Sequence, residues 1–223
     1  AKGEITFDTV TKEKTVTAKN IPTKDVAEDE AMKKKFAYVD EKSKAYSNEV
    51  VGEVTETFIK NPDFITGEKE ITTMPTAQLM ETPVMELINE VQQHFAKSDV
   101  SSAALFNFGS NLEKGPFKRK DVAFIYKYTN TLMGVNITGE NLLKYMEWSA
   151  DYYNQLMPGD LTISFDENVR GYNYDMFYGI DYKIDITKPK GKRIIDAKIN
   201  GKPVDKKKVY KLAINNYRFG TLL

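Results

Sequence analysis

Cysteine is absent from this chain of 223 residues, and histidine occurs once, as His94. The missing thiols exclude disulfides, thiol catalysis and zinc sites built on cysteine. A two-metal hydrolytic centre holds its ions about 3.5–4 Å apart with several protein ligands, and one histidine does not supply them. No apolar run approaches the ~20 residues that a membrane-spanning helix needs. We therefore expect neither a metal centre nor a membrane span in this chain.

The charges are balanced, with 32 Lys+Arg against 32 Asp+Glu. Proteins that bind nucleic acid polymers carry a clustered basic excess, so no polymer is expected as a partner. The chain has no HExxH helix, nucleophile elbow or GxxxxGK[ST] loop. His94 is interpreted as a partly exposed helical residue. Charged residues make up 29% of the chain, so acidic pairs are too common to indicate carboxylate catalysis. No catalytic residue is assigned.

The spacing of apolar residues predicts an α+β fold, with mostly antiparallel strands and a few packed helices. Residues 4–24 alternate as a hairpin does, and a charged helix is predicted over residues 25–45. Thr82 and Thr138 are predicted to cap helices, with Pro83 at the first helical position. Asn200-Gly201 predicts a type I′ turn. Further strands are predicted over residues 51–58, 101–106, 121–128, 132–137, 182–187, 193–199, 203–204 and 210–215.

Three sequence blocks resemble one known family when taken in order. They are Tyr128-Thr-Asn-Thr-Leu-Met-Gly-Val-Asn-Ile-Thr-Gly-Glu140, Tyr172-Asn-Tyr-Asp175 with Gly179, and Val209-Tyr-Lys-Leu-Ala-Ile-Asn-Asn-Tyr-Arg218. The chain is similar to the C-terminal domain of the 5′-nucleotidase family. It most resembles the branch that hydrolyses 2′,3′-cyclic nucleotides and 3′-nucleotides, and the likeness runs from about residue 49 to residue 218.

The resemblance implies a division of the chain. Residues 1–48 correspond to the tail of a catalytic domain and a linker helix. Residues 49–223 correspond to a nucleoside-binding C-terminal domain that is truncated at its end. In this family two divalent metal ions lie in an N-terminal metallophosphoesterase domain, which is absent here. No cofactor is therefore expected in this chain, and the N-terminal domain is expected as its partner.

The resemblance also implies the residues of a substrate site. Tyr128 and Tyr217 match the two aromatic residues between which the family stacks a nucleobase, and Asn130 matches an Asn near the base edge. As a turn residue, Asn130 equally fits a role in its own backbone. Asn107 and Gly109 fall where many 5′-nucleotidases have a segment that ends in a phosphate-binding Arg, which this sequence lacks. Asn216 completes the set of expected substrate-binding residues.

The implied function is recognition of a small-molecule nucleoside or nucleotide for a secreted metallophosphoesterase. That enzyme would hydrolyse 2′,3′-cyclic nucleotides and 3′-nucleotides, and this chain alone is expected to be inactive. An extracellular, cell-wall or periplasmic location is expected. The alternative is a catalytically inactive bacterial surface module that binds a host protein or a haem-like ligand. A third hypothesis is a globular interaction domain without a small-molecule site.

Overall fold

The computed structural model describes residues 1–222 and divides into two compact units, Ala1–Tyr46 and a second that begins at Ser47. In the first unit, β1 (Lys2–Phe7) and β2 (Lys14–Lys19) form an antiparallel hairpin with Ile5 opposite Val16. The helix α1 (Glu30–Ser47) follows. The predicted hairpin and charged helix are thus confirmed. Every residue from 1 to 46 is exposed, so this unit has no buried core of its own.

The strands of the second unit are β3 (Val50–Val54), β4 (Val100–Ala104), β5 (Gly115–Lys118), β6 (Leu132–Thr138), β7 (Asp175–Tyr178), β8 (Asp181–Ile184), β9 (Ile194–Ile199), β10 (Lys202–Pro203) and β11 (Val209–Asn215). Four of them form a sheet with the order β6-β11-β4-β7. β11 is antiparallel to β6 and parallel to β4, and β4 is antiparallel to β7. The other strands form two smaller sheets, β3-β5 and β10-β9-β8.

Helices cover both faces of the four-stranded sheet. The helices of this unit are α2 (Pro83–Ala96), α3 (Arg119–Ile125), α4 (Gly139–Ala150) and α5 (Asn216–Leu222). The hydroxyl of Ser101 donates to Asn89 of α2, whereas the hydroxyl of Ser102 contacts Tyr145 of α4. Successive residues of a strand point to opposite faces, so α2 and α4 lie on opposite sides of the sheet. One buried apolar cluster lies on each side. The α+β prediction is confirmed.

Two local predictions are wrong. Residues 121–128 were predicted as a strand, but α3 begins before them because the Asp121 carboxylate accepts the Lys118 N–H at 2.7 Å and so caps the first turn. Thr82 precedes α2, yet its hydroxyl makes no cap hydrogen bond and, within residues 1–222, has no hydrogen-bond partner. Thr138 does cap α4, accepting the Asn141 N–H at 3.3 Å.

The hairpin turn at Asn200-Gly201 has the positive φ angles, 52° and 72°, that a type I′ turn requires. Among residues 1–222, no helix is long and apolar enough to cross a membrane.

Candidate functional site

The sheet topology brings Tyr128 and Tyr217 to the same edge. Leu132, at the start of β6, is directly opposite Asn215, at the end of β11. Tyr128 lies four residues before this pair and Tyr217 two residues after it. Both side chains are about half exposed, at 52% and 57%. Two exposed aromatic rings therefore flank one cross-strand pair.

Asn216 ties the two aromatic segments together. Its side-chain oxygen accepts the Thr131 N–H at 2.8 Å, and its own N–H donates to the Thr131 carbonyl at 2.9 Å. This reciprocal pair fixes the loop before β6 to the first residue of α5. The predicted site residue Asn216 thus has a structural role, because its side-chain amide oxygen already accepts a hydrogen bond from the Thr131 backbone.

The loop after β4 lies at the same edge, because β4 and β11 are parallel neighbours. Its Phe106 ring meets the Tyr128 ring edge to face, with centroids 4.7 Å apart. On the same loop, the Asn107 side chain accepts the Gly109 N–H at 2.9 Å and so closes a tight turn. Phe106 therefore holds one ring of the site, a role that the sequence did not reveal, and Asn107 shapes the neighbouring turn.

Asn130 faces the same loop system. Its amide nitrogen donates to the Tyr126 hydroxyl at 3.2 Å, and Tyr126 also packs on Phe106, with ring centroids 5.3 Å apart. The bond orients the side chain so that its oxygen points away from Tyr126. The Lys127 ammonium lies 5.2 Å from the centroid of the Tyr128 ring. The segment before β6 thus carries an amide, a cation and an aromatic ring.

Arg218 connects this edge to the interior. It follows Tyr217 directly, is 3% exposed, and its Nε lies 2.6 Å from Oδ2 of the equally buried Asp175. Its guanidinium carbon is 4.9 Å from the centroid of the Trp148 ring on α4. Tyr145 donates to the same Asp175 oxygen at 2.8 Å. The first turn of α5 is therefore anchored by a buried ion pair.

The electrostatics of this anchor follow from its burial. Burial raises the pKa of Asp175 to about 6, although Arg218 and the Tyr145 hydroxyl act in the opposite direction. Burial and the nearby Asp175 charge likewise raise the pKa of Tyr145 well above its ordinary value. The Arg218 charge is therefore matched inside the protein, which leaves it unsuited to hold a phosphate group.

His94 is not part of this site. It lies in the last turn of α2, shortly before β4 begins, whereas the site residues gather where β4 ends. Within residues 1–222, no group of three or more His, Cys, Asp or Glu side chains is placed to hold a metal ion.

Comparison with known proteins identifies the family to which this chain is similar. The family profile described as "5′-nucleotidase, C-terminal domain" matches residues 50–221. The trifunctional nucleotide phosphoesterase protein YfkN of Bacillus subtilis is 30% identical in a match that covers 64% of this chain and 12% of that protein. A 2′,3′-cyclic-nucleotide 2′-phosphodiesterase/3′-nucleotidase of Salmonella typhimurium is 30% identical in a match that covers 64% of this chain and 28% of that protein.

Solved structures show the same fold. A candidate 5′-nucleotidase from Staphylococcus aureus, solved with alpha-ketoglutarate, superposes with a TM-score of 0.71 at 21% identity, covering 96% of this chain and 40% of its own. A 5′-nucleotidase precursor from Thermus thermophilus gives 0.60 at 17% identity, covering 97% and 39%. This chain thus spans well under half of each of these relatives. The family profile and the curated relatives confirm the resemblance that the three sequence blocks indicated. The chain belongs to the family of 5′-nucleotidase C-terminal domains.

Proposed function

We propose that this domain binds the nucleoside part of a nucleotide by stacking its base between Tyr128 and Tyr217. The observation that carries the proposal is the pairing of Leu132 with Asn215, which presents both half-exposed rings at one sheet edge. The bonds between Asn216 and Thr131 hold the two segments in register. Such preorganisation lowers the ordering cost of binding.

The chemistry of the two rings suits a nucleobase. A flat base gains about 1–3 kcal/mol from each aromatic contact, with little dependence on which base it is. Asn130 lies two residues after Tyr128 and donates its amide N–H to Tyr126, and an amide oxygen such as its own accepts a hydrogen bond from a base amino group. The site therefore favours nucleosides as a class, and one amide adds a modest preference for bases with an exocyclic amine.

In this proposal hydrolysis takes place outside the chain. The named relatives are nucleotide phosphoesterases several times longer than the matched region. We infer that the parent protein hydrolyses 2′,3′-cyclic nucleotides and 3′-nucleotides outside the cytoplasm, at the cell surface or in the periplasm. An N-terminal domain with two divalent metal ions would activate the water in that protein, and this chain would bind the nucleoside.

The hairpin of β1 and β2 has an exposed apolar face, which is evidence for a partner domain. Ile5, Phe7 and Val16 lie on one face of this hairpin, since Ile5 and Val16 are directly opposite and alternate residues share a face. They are 67%, 57% and 60% exposed. A two-stranded ribbon with an uncovered apolar face is marginal in water. We infer that the catalytic domain covers this face in the parent protein.

Calorimetric titration of the purified chain with adenosine and 3′-AMP tests the binding role. We expect both to bind, and Tyr128→Ala to weaken each by about 1–3 kcal/mol. Tyr38→Ala is the matched control, because Tyr38 is 60% exposed and belongs to α1 in the other compact unit, and it should leave both affinities unchanged.

The outcomes separate the hypotheses. No binding of either compound by the wild-type chain refutes the proposal and favours a surface module for another ligand. Phosphatase turnover by this chain that is lost on substituting one of its own residues refutes the division of labour between domains.

A further inference from the structure

A fourth segment closes the sheet edge around the two tyrosines. Gly171–Asn173 forms a short 3-10 helix that leads into β7, and Asp175 at the start of β7 is directly opposite Ala104 at the end of β4. The segment therefore lies at the edge where Tyr128 and Tyr217 emerge. Resting on the function proposed above, we infer that Tyr172 is a further binding residue, which contacts the neutral nucleoside part of the ligand.

Arg218 of α5 contacts the segment that carries Tyr172. One Arg218 nitrogen, Nη2, donates to the Tyr172 carbonyl at 2.6 Å, and the other, Nη1, donates to the Asn173 side-chain oxygen at 3.0 Å. Arg218 is buried and adjacent in sequence to Tyr217. The guanidinium therefore fixes the backbone of Tyr172 beside the turn of α5 that carries the second ring.

The loop after β4 also contacts this segment, where Phe108 approaches Gly171. A Cβ atom on Gly171 would lie 2.7 Å from Cε2 of Phe108, so the Gly171 backbone packs closely on the Phe108 ring and a larger residue would have to displace that ring. Phe108 is two residues from Phe106, which packs on Tyr128. The 3-10 helix is thereby joined to both tyrosine segments, to one through Arg218 and to the other through the β4 loop.

These contacts form a closed circuit around the edge. Asn216 joins α5 to the loop before β6, and Phe106 joins the loop before β6 to the loop after β4. Gly171 joins the loop after β4 to the 3-10 helix, and Arg218 joins the 3-10 helix back to α5. Tyr172 is 42% exposed on this circuit. Its backbone is thus held rigidly while its ring remains accessible, as a preorganised contact residue requires.

The charges on the circuit define the part of the ligand that Tyr172 meets. The guanidinium of Arg218, which contacts the Tyr172 carbonyl, is held against Asp175 and so is not offered to a phosphate. An aromatic ring beside a neutral amide suits a base or ribose better than a phosphate. Tyr172 should therefore contribute equally to the binding of a nucleoside and of its phosphorylated form.

Titrations of Tyr172→Ala and Tyr172→Phe with adenosine and 3′-AMP test the inference. We expect Tyr172→Ala to weaken both ligands by the same factor, about 5- to 150-fold, which corresponds to one lost aromatic contact. Tyr172→Phe keeps the ring and should stay within about twofold of wild type if stacking carries the contact. Tyr38→Ala again serves as the exposed control, and thermal melts of each variant verify the fold.

Each outcome decides a separate claim. Unchanged affinity of Tyr172→Ala for both ligands, with a wild-type chain that binds, overturns this inference and leaves the clamp of Tyr128 and Tyr217 intact. A loss confined to 3′-AMP overturns the assignment to the neutral nucleoside part. A wild-type chain that binds neither ligand overturns the proposed function and this inference with it.

Discussion

Replacing Arg218 with Met tests the buried anchor beneath the site. Met retains apolar bulk but removes the guanidinium, so Asp175 remains 3% exposed without its cation. Breaking a buried ion pair by removing one partner costs about 3–5 kcal/mol. The bonds from Arg218 to Tyr172 and Asn173 are lost as well. We expect Arg218→Met to lower the free energy of unfolding at pH 7.5 by about 3–5 kcal/mol.

The pH dependence identifies the cause. The pKa of Asp175 is about 6 in the folded protein, against 3.8 for the free side chain. The folded state therefore binds the Asp175 proton more tightly than the unfolded state does. The stability that this proton contributes is fully present below pH 3.8 and is lost as the pH rises through about 6. Without Arg218 the folded pKa rises further. Protonation then neutralises the stranded carboxyl, so the deficit of Arg218→Met should be smaller at pH 5 than at pH 7.5.

Urea unfolding at the two pH values measures these differences. The double variant Arg218→Met with Asp175→Asn should lie closer to wild type than the single variant, because no buried charge is left. Arg170→Met, at an exposed arginine, is the control and should change stability by at most about 0.5 kcal/mol. A loss below about 1 kcal/mol at pH 7.5, or a deficit that does not shrink at pH 5, would refute the reasoning.

Three further substitutions test local structure by the same unfolding assay. Asp63→Asn should lower the free energy of unfolding by about 2–3 kcal/mol, since the buried carboxylate accepts four backbone N–H groups. The control Asp181→Asn, at an exposed residue, should leave the free energy of unfolding unchanged. Equal stability of the two variants would contradict this prediction. Gly179→Ala should cost about 1–3 kcal/mol, because φ is +80° and the new Cβ would lie 2.4 Å from the Asp99 carbonyl oxygen. Thr138→Ala should cost about 1 kcal/mol through loss of the cap of α4, and no change would mean that the 3.3 Å bond contributes nothing.

Local patterns account for the elements that were predicted from sequence. The alternation in residues 4–24 predicted the hairpin, because successive residues of a strand point to opposite faces. The continuous apolar run within residues 121–128 was predicted as a strand, but the Asp121 carboxylate caps a helix there. Short apolar runs do not by themselves separate the two structures.

The site was only partly accessible from sequence, because its assembly depends on strand order. Tyr128 and Tyr217 were found through motif resemblance, yet their shared edge follows from the pairing of β6 with β11. Phe106 was assigned to a buried strand, and its ring contact with Tyr128 joins residues that no local pattern connects. Arg218 offered one signal: the chain has only four arginines, Arg119, Arg170, Arg193 and Arg218, and an arginine inside an apolar strand-to-helix block is a candidate for a buried pair.

The central claim is that one nucleobase lies between Tyr128 and Tyr217. Intermolecular NOEs from the adenine H2 and H8 protons of bound adenosine to tyrosine ring protons test it most directly. The account predicts two sets of NOEs, one that disappears in Tyr128→Leu and one that disappears in Tyr217→Leu. NOEs that persist in both variants, or that arise from other tyrosines alone, would contradict it.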